Sequence, residues 1–468
     1  MPPIAALFAW FVFVVYLFRR DPLRDSRVSW AVWIPLIWML IQGTRLPSQW
    51  LNMAGVNAID VIEDGNPLDR AVYLSLIVLA LWVMSSRSVR WGKVIGRNPA
   101  LTALIVLGLI SVTWSDFPYI AFKRWVRDLG TYLMIIAVMS EASPLEAIEK
   151  MIRRFCYVTV TLSIVLIKYY PQLGMGYDYY SGAPYTVGVT TNKNMLGVLC
   201  LVSALFFSWD ILRRFAERKD KIVRKLLVID GGMLLLTLSV LKRADSSTSL
   251  LSYVVALMIM FAARLRWIKE SPSRLAIMIP VAAVSIAVID FLFGIRSLVT
   301  SSVGRDTTFT GRTNLWAYLG SLDKNWLLGA GYESFWIGPR LQAAWKIFQW
   351  GPTEAHNGYL EMYIQLGVVG LFALALVLMS FYRRIYRELS KNASYAVLCL
   401  SFLIVLLIYN YTEAAFRNCL LWFTFLMLNI AAADSGETIS VAAKQQGAVL
   451  HRMSGQSRIR RRVPSTSN

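Results

Sequence analysis

Residues 353–384 read TEAHNGYLEMYIQLGVVGLFALALVLMSFYRR. Between residues 358 and 382, Glu361 is the only charged side chain, and two arginines follow this apolar run. An apolar run of about 20 residues crosses the ~30 Å hydrocarbon core of a bilayer as an α-helix. The stretch therefore predicts a membrane-spanning helix over 358–382, with a polar segment in front of it that contains His356, one of only two histidines.

Similar apolar runs recur along the whole chain. The 468 residues are 56% hydrophobic and 16% charged, whereas soluble domains average about 25% charged residues. Helices are required in the hydrocarbon core because unpaired backbone groups are too costly there. The sequence predicts an all-α polytopic integral membrane protein with about 12–13 transmembrane helices. The predicted spans are 4–18, 29–42, 71–84, 99–113, 129–140, 155–167, 195–209, 226–241, 249–263, 275–293, 358–382, 393–409 and 418–433.

The net charge of +20 is distributed in a way that argues against nucleic-acid binding. Of the 48 lysines and arginines, 32 lie in every second connection, beginning with 19–28 and ending with the tail. Cytoplasmic connections of membrane proteins carry this excess of positive charge. We therefore expect a cytoplasmic C-terminus, with the N-terminus and the His356 segment outside. The first apolar run is expected to be retained, because arginines follow it in place of a small-residue cleavage site.

Long connections suggest how the chain is divided. The largest one is predicted to be an ordered external cap, because long loops rich in aromatic residues are commonly functional. A second external loop, 168–194, is rich in tyrosine, which is suited to stacking on sugar rings. The predicted parts are N-terminal transmembrane helices (1–293), a large periplasmic loop (294–357), C-terminal transmembrane helices (358–433) and a basic, disordered cytoplasmic tail (434–468).

The sequence contains no pattern typical of a bound metal or cofactor. Its four cysteines lie in or beside apolar spans without CxxC spacing, which favours structural thiols. There is no phosphate-binding P-loop and no dinucleotide-binding glycine motif. We expect neither a metal nor a cofactor. The cysteines are Cys156, Cys200, Cys399 and Cys419.

His356 is the main candidate for chemistry. A neutral imidazole accepts a proton near physiological pH, which few side chains do. Asn357, Glu354 and Glu361 are near enough in sequence to orient the ring. The alternative is that a histidine at this position only caps the helix or lies in the membrane interface.

Several cationic residues lie on the predicted outer side, against the general charge trend. Arginine binds phosphate oxygens through its planar fork, and lysine acts as a point charge. A lipid-linked diphosphate would be a suitable partner. The alternative is that they form local salt bridges or extend to lipid headgroups. These residues are Lys123, Arg124, Arg127, Lys193, Lys242, Arg243 and Arg312.

Two carboxylates, Asp230 and Asp290, fall inside predicted spans. Ionisable groups within membrane helices commonly belong to proton or ion pathways. They support the alternative that the chain is a transporter or flippase for lipid-linked sugars. Inverted repeats, which many transporters have, are not evident in the sequence.

Taken in order, several motifs resemble those of the O-antigen ligase and Wzy-type polymerase superfamily. They are TGRTNLW (310–316), GAGYESFW (329–336) and HNGYLEMYIQLGVVGL (356–371), with TTNKNMLG (190–197) and VTWSDFPYIAFKRW (112–125) as earlier blocks. The opening segment, 27–51, is more similar to the exopolysaccharide polymerases of the ExoQ-like branch. Two departures are Gln365, where the family often has glutamate, and LKRADSSTS (241–249), which replaces the usual Ser-Arg motif.

The resemblance implies a GT-C-like glycosyltransferase of the bacterial inner membrane, acting on the periplasmic side without a metal. The implied donor is a glycan on undecaprenyl diphosphate. The implied acceptor is another lipid-linked repeat unit for a polymerase, or lipid A–core for a ligase, and polymerase is favoured. Chain-length regulators and export proteins are further implied partners. The family's catalytic residues fall on His356 and Arg312, and its diphosphate-binding residues fall on Arg312, Arg243, Lys193 and Arg124.

Overall fold

The computed structural model describes residues 1–21, 28–52, 65–87, 89–177, 182–281, 312–322 and 325–431. The predicted tail, most of the span at 275–293 and most of the first half of the large loop lie outside these residues. The described part is almost entirely helical, with one antiparallel pair of three-residue strands, β1 (Met175–Tyr177) and β2 (Pro184–Thr186). This hairpin lies within the predicted tyrosine-rich external loop.

The longer helices coincide with the predicted spans. In chain order they are α1 (Pro3–Arg20), α2 (Trp33–Gly43), α3 (Pro67–Ser86), α4 (Trp91–Arg97), α5 (Pro99–Ile110), α6 (Pro118–Met139), α7 (Pro144–Tyr169), α8 (Lys193–Arg214), α9 (Lys221–Ala244), α10 (Ser247–Ala262), α11 (Arg312–Ser321), α12 (Gly338–Ile347), α13 (Gly358–Leu389), α14 (Ala393–Tyr409) and α15 (Leu420–Ala431). Single-turn helices occupy Pro47–Trp50, Pro171–Gly174 and Arg266–Glu270.

The all-α polytopic class is confirmed. Within the described residues, four helices are long and apolar enough to cross a membrane: α1, α3, α13 and α8 with its C-terminal extension to Glu217. Helices α4 and α5, which meet at an angle of 99°, would form a fifth span if they are counted as one. Other predicted spans correspond to shorter or more polar helices, so the number 12–13 and the GT-C-like arrangement stay predictions.

Helix α8 lies at the centre of the helical bundle. It packs against α7, α9 and α10, and 78% of its most apolar 18-residue window is buried. A buried ion network fastens its C-terminal end: Arg153 of α7 contacts both Asp210 of α8 and Asp230 of α9, and all three side chains are at most 1% exposed. Asp230 is therefore one partner of an internal ion pair. Asp290 lies outside the described residues.

Helix α13 is not the continuous span that the sequence predicts. Gly367 adopts a left-handed conformation, with φ of +62°, that breaks the helix in its apolar part. The segment 326–331 pairs with the opened backbone: Ala330 donates to the carbonyl of Ile364 at 3.0 Å, and Val368 donates to that of Trp326 at 3.0 Å. A side chain at Gly367 would collide with the backbone of Leu327. Broken helices are tolerated in membranes where other protein segments satisfy the freed groups.

Candidate functional site

Four chain segments meet in front of the N-terminal half of α13. They are the start of α8, the start of α11, the loop that ends at His356, and the connection 410–419 between α14 and α15. Gly358 explains how closely two of them approach: its backbone N–H donates to the carbonyl of Asn410 at 2.8 Å, and a Cβ at this position would collide with the Asn410 side chain. This close approach brings the His356 loop onto the 410–419 connection.

His356 is held between two carboxylates. Its Nδ1 lies 3.1 Å from Oε2 of Glu413 and 3.3 Å from Oε1 of Glu354. The backbone of His356 is left-handed, with φ of +47°, which is uncommon for residues other than glycine. An Nδ1–H that donates to a carboxylate leaves Nε2 as the proton-accepting nitrogen. The ring of Trp350 lies beside the imidazole, with centroids 5.5 Å apart.

The pKa of His356 is raised above its ordinary value. Burial alone would lower this pKa, but the hydrogen bond to Glu413 and the charges of Glu354 and Glu413 outweigh burial. The pKa of Glu413 is lowered: burial would raise it, but the His356 hydrogen bond and the Arg312 charge have the larger combined effect. The pair is therefore arranged as a carboxylate that stabilises a protonated imidazole.

Arg312 begins α11 and connects to the same carboxylate. Its Nη2 donates to Oε1 of Glu413 at 2.7 Å, and its Nη1 donates to the carbonyl of Thr412. Asn194, in the TTNKNMLG motif, also donates to Oε1 of Glu413, at 2.9 Å. Residues from three of the predicted motifs therefore contact the Glu413 carboxylate.

The remaining predicted supporting residues have other contacts. Asn357 is the N-cap of α13, where its side chain accepts from the N–H groups of Tyr359 and Leu360. Glu361 accepts from Trp336 at 3.0 Å and from the backbone N–H of Ala355 at 2.6 Å. The expectation that these two residues orient the imidazole directly is not met. They hold the loop on either side of it.

His356 and Lys193 line the same cavity, which has a volume of about 620 Å³. Glu354, Glu413 and Arg417 also border it, so the formal charges of its two cations and two carboxylates cancel when the histidine is neutral. Its aromatic lining is Tyr177, Tyr185, Trp350 and Tyr409. Such a cavity is suited to sugars, which combine hydroxyl groups with apolar ring faces.

Arg124 lines a neighbouring cavity of about 370 Å³. Five basic and two acidic side chains border this cavity, which leaves a net charge of +3 in its lining. An apolar wall, including Leu74 and Ile77 of α3, completes it. We call it the basic cavity; its charged lining consists of Arg70, Lys123, Arg124, Arg127, Arg417, Asp69 and Glu333.

Arg417 borders both cavities and, like Glu413, is a site residue that was not predicted from the sequence. Its Nη1 donates to Oε2 of Glu354 at 3.1 Å, so it is linked to His356 through one carboxylate. Together with Arg127 and Arg124 it lowers the pKa of Glu333, although burial alone would raise that pKa. The eight-residue connection between the last two predicted spans contains Glu413 and Arg417 as its only charged residues, which is the signal that points to them.

Arg243 lies elsewhere at the same end of the bundle. It is exposed near the end of α9, and its backbone carbonyl accepts from Thr186 of β2 at 2.6 Å. The linings of the two cavities, as far as the described residues form them, do not include Arg243 or Arg312.

Glu354, His356 and Glu413 also have the composition of a cation site, with ligand atoms within 4.8 Å of one another. Both carboxylates, however, already accept from guanidinium groups, Glu354 from Arg417 and Glu413 from Arg312. Two positive charges at this position oppose a further cation. The cluster is better arranged to orient and charge an imidazole.

Comparisons with known proteins agree with the motifs. Residues 232–375 match a family model described as Wzy_C, O-Antigen ligase. The exopolysaccharide production protein ExoQ of Rhizobium meliloti (strain 1021) is 23% identical over 317 residues, which cover 65% of this chain and 70% of that protein. In these matches and in its ordered motifs, the chain is similar to the O-antigen ligase and Wzy-type polymerase superfamily, and to its ExoQ-like branch in particular.

Proposed function

We propose that the chain is a metal-independent polysaccharide polymerase that transfers a glycan from undecaprenyl diphosphate to another lipid-linked repeat unit. The family and the ExoQ relative support a glycan ligase or polymerase type of function. The observation that carries the finer proposal is the chain of contacts Arg312–Glu413–His356 at the edge of a cavity suited to sugars.

His356 is the proposed acceptor base. Glu413 and Glu354 favour the protonated imidazole, so the ring gains a proton more readily as it takes one from the acceptor hydroxyl. A positioned base of this kind contributes roughly 10²–10⁴ in rate. In this proposal Glu413 is a positioning residue that fixes the ring, and Arg312 in turn fixes Glu413.

The diphosphate is the proposed leaving group, and its binding requires positive charge close to the base. We assign it to the junction of the two cavities, at Arg417, with Lys193 on the side of His356 and Arg124 on the side of the basic cavity. Fixed cations stabilise charge that develops on the leaving group. The apolar wall of the basic cavity, at Leu74, would accept the first part of the lipid chain.

The predicted location follows from charge. The positive-inside distribution supports an active site on the periplasmic face of a bacterial inner membrane and a C-terminal tail in the cytoplasm. In this arrangement the helices before residue 294 and after residue 357 embed the enzyme. In this proposal the described residues 325–357 lie on the outer side of the site, where Trp350 packs beside His356.

A ligase that transfers glycan to lipid A–core would use the same chemistry. The two are distinguished by deleting the gene: single repeats in place of long chains indicate a polymerase, whereas long unattached chains indicate a ligase. The transporter alternative loses one of its two supports, since Asp230 pairs with Arg153 inside the bundle. A transporter mutant would trap lipid-linked units on the cytoplasmic face, whereas an enzyme mutant would accumulate them outside.

The direct test is His356→Ala in the full chain. We expect polymer to disappear while the protein still inserts and lipid-linked single repeats accumulate on the outer side. His451→Ala is the matched control, because it removes the only other histidine and should leave polymer unchanged. Near-normal polymer from His356→Ala would refute the proposed base.

A further inference from the structure

A second group of cations lies at the end of the bundle opposite to His356. Helix α3 has 20 residues and is therefore about 30 Å long. Asp69, near its start, borders the basic cavity, whereas Arg87, just after its end, borders a third cavity of about 400 Å³. Helix α6 runs in the same direction. Arg124, near its start, borders the basic cavity, and Met139, at its end, borders the third cavity. The third cavity therefore opens on the other face of the membrane.

The lining of this cavity carries positive charge only, among the described residues that form it. Four cations come from the short stretch 87–97, and the walls are otherwise mainly apolar, with Ile136, Met139 and Ile430. Its charge contrasts with that of the His356 cavity, where carboxylates balance the cations. The four cations are Arg87, Arg90, Lys93 and Arg97.

Two half-buried arginine side chains fix the shape of the cavity. Arg87 donates to Glu141 at 2.6 Å and to Ser140 at 2.8 Å, which fastens the end of α3 to the end of α6. Arg384 of α13 donates to the backbone carbonyl of Arg97 at 2.9 Å and to the Asn98 side chain at 3.0 Å. These contacts hold the corner between α4 and α5, so the cavity is part of the folded protein.

Helix α4 has the features of a helix that lies along the membrane surface. It meets α5 at 99° instead of continuing it. Trp91 and Ile95 are one turn apart and are exposed by 42% and 50%, respectively. Tryptophan is enriched at the boundary between lipid and water. Lys93 and Val94 of the same helix line the cavity, so cations and lipid-facing apolar residues occur side by side.

We propose that this cavity binds the phosphate headgroup of an anionic phospholipid in the leaflet opposite the His356 site. Basic pockets between membrane helices on the cytoplasmic side are suited to such headgroups. The cations would contact the phosphate, and Ile136 and Met139 would contact the glycerol and the first methylene groups. This assignment is independent of the proposed polymerase reaction, because it concerns the opposite face of the molecule.

The test measures lipid retained by the purified full-length protein in native mass spectrometry, with phosphatidylglycerol as the probe and phosphatidylcholine as the neutral comparison. Each cation near an anionic headgroup contributes about a fivefold effect, so Arg90→Gln with Lys93→Gln should weaken phosphatidylglycerol retention roughly 30-fold. The matched control is Lys219→Gln with Arg224→Gln, which removes equal charge from exposed positions at the same end of the bundle. The control should retain lipid as the unchanged protein does.

Equal loss in both double variants would show only a general effect of charge and would overturn the proposal. Displacement of the lipid by excess inorganic phosphate would overturn it as well, because the ligand would then be a soluble anion. A second measurement does not depend on the variants: phosphatidylglycerol, but not phosphatidylcholine, should raise the melting temperature of the unchanged protein, since a ligand that binds only the folded state stabilises it. No difference between the two lipids would refute the site.

Discussion

Replacing Glu413 by glutamine tests the proposed base most directly, because it changes the charge beside His356 and nearly preserves the shape. Glu413 lies 3.1 Å from Nδ1 of His356, and Glu354 lies 3.3 Å from the same atom. An opposite charge at this range favours the protonated imidazole and so raises the pKa of His356. We expect Glu413→Gln to lower the pKa of His356, because it removes one of the two carboxylate charges that raise this pKa.

The direction of the pH effect follows from the role of a base. Polymerisation requires neutral His356, so in the unchanged protein the rate should rise with pH through the raised pKa of His356. In Glu413→Gln this rise should move toward acid pH. The maximal rate should also fall roughly 10–100-fold, because the ring becomes a weaker and less firmly oriented base.

The assay is the initial rate of polymer formation by purified protein from lipid-linked repeats, measured from pH 5 to pH 9. Glu270→Gln is the matched control, since Glu270 is an exposed partner of Arg266 and lies outside the site. If the acid side of the pH–rate profile is the same in Glu413→Gln as in the unchanged protein, His356 is not the base. A change confined to the alkaline side would show that the reaction needs protonated His356 instead.

Three other substitutions test parts of the structure. Arg312→Lys should abolish polymer formation in the same assay, because a point charge cannot span the Thr412 carbonyl and Glu413; full activity would argue for a merely electrostatic role. Gly358→Ala should strongly reduce activity by displacing the His356 loop, whereas Gly232→Ala, where a Cβ meets no neighbour within 4 Å, should retain it. Arg153→Ala should lower stability by about 3–5 kcal/mol in thermal unfolding, since it removes the partner of the buried Asp230, whereas Asp210 keeps Arg213 and Arg214; an unchanged melting temperature would contradict this.

Most helices could be predicted from sequence because the apolar pattern is set by the membrane. The predicted limits of 393–409 are those of α14, and the predicted span 249–263 nearly coincides with α10. The break in α13 could not be predicted in this way. Gly367 looks like one of several small residues in an apolar run, and its effect depends on a segment about 40 residues earlier that pairs with the opened backbone.

The candidate site was predictable only in part, for a related reason. His356 is conspicuous because histidine is rare in this chain, and Arg312 because it is a cation on the predicted outer side. The structure brings both of them to one carboxylate. That carboxylate, Glu413, is 57 residues from His356, so spacing does not connect them. Glu361 is closer in sequence, but its helix directs it to Trp336 and the Ala355 backbone.

The break in α13 also bears on how such a base would reach its substrate. A lipid-linked sugar keeps the depth that its lipid imposes, so a base on a freely moving loop would rarely meet the reacting hydroxyl. The segment 326–331 is hydrogen-bonded to α13 at the break, and Glu361 of the same half-helix holds the backbone of Ala355. The depth of His356 is thus tied to a helix embedded in the membrane. We therefore expect substitutions at Gly367 to reduce the maximal rate even though this residue lies away from the imidazole, because they would displace the base relative to a substrate that cannot follow.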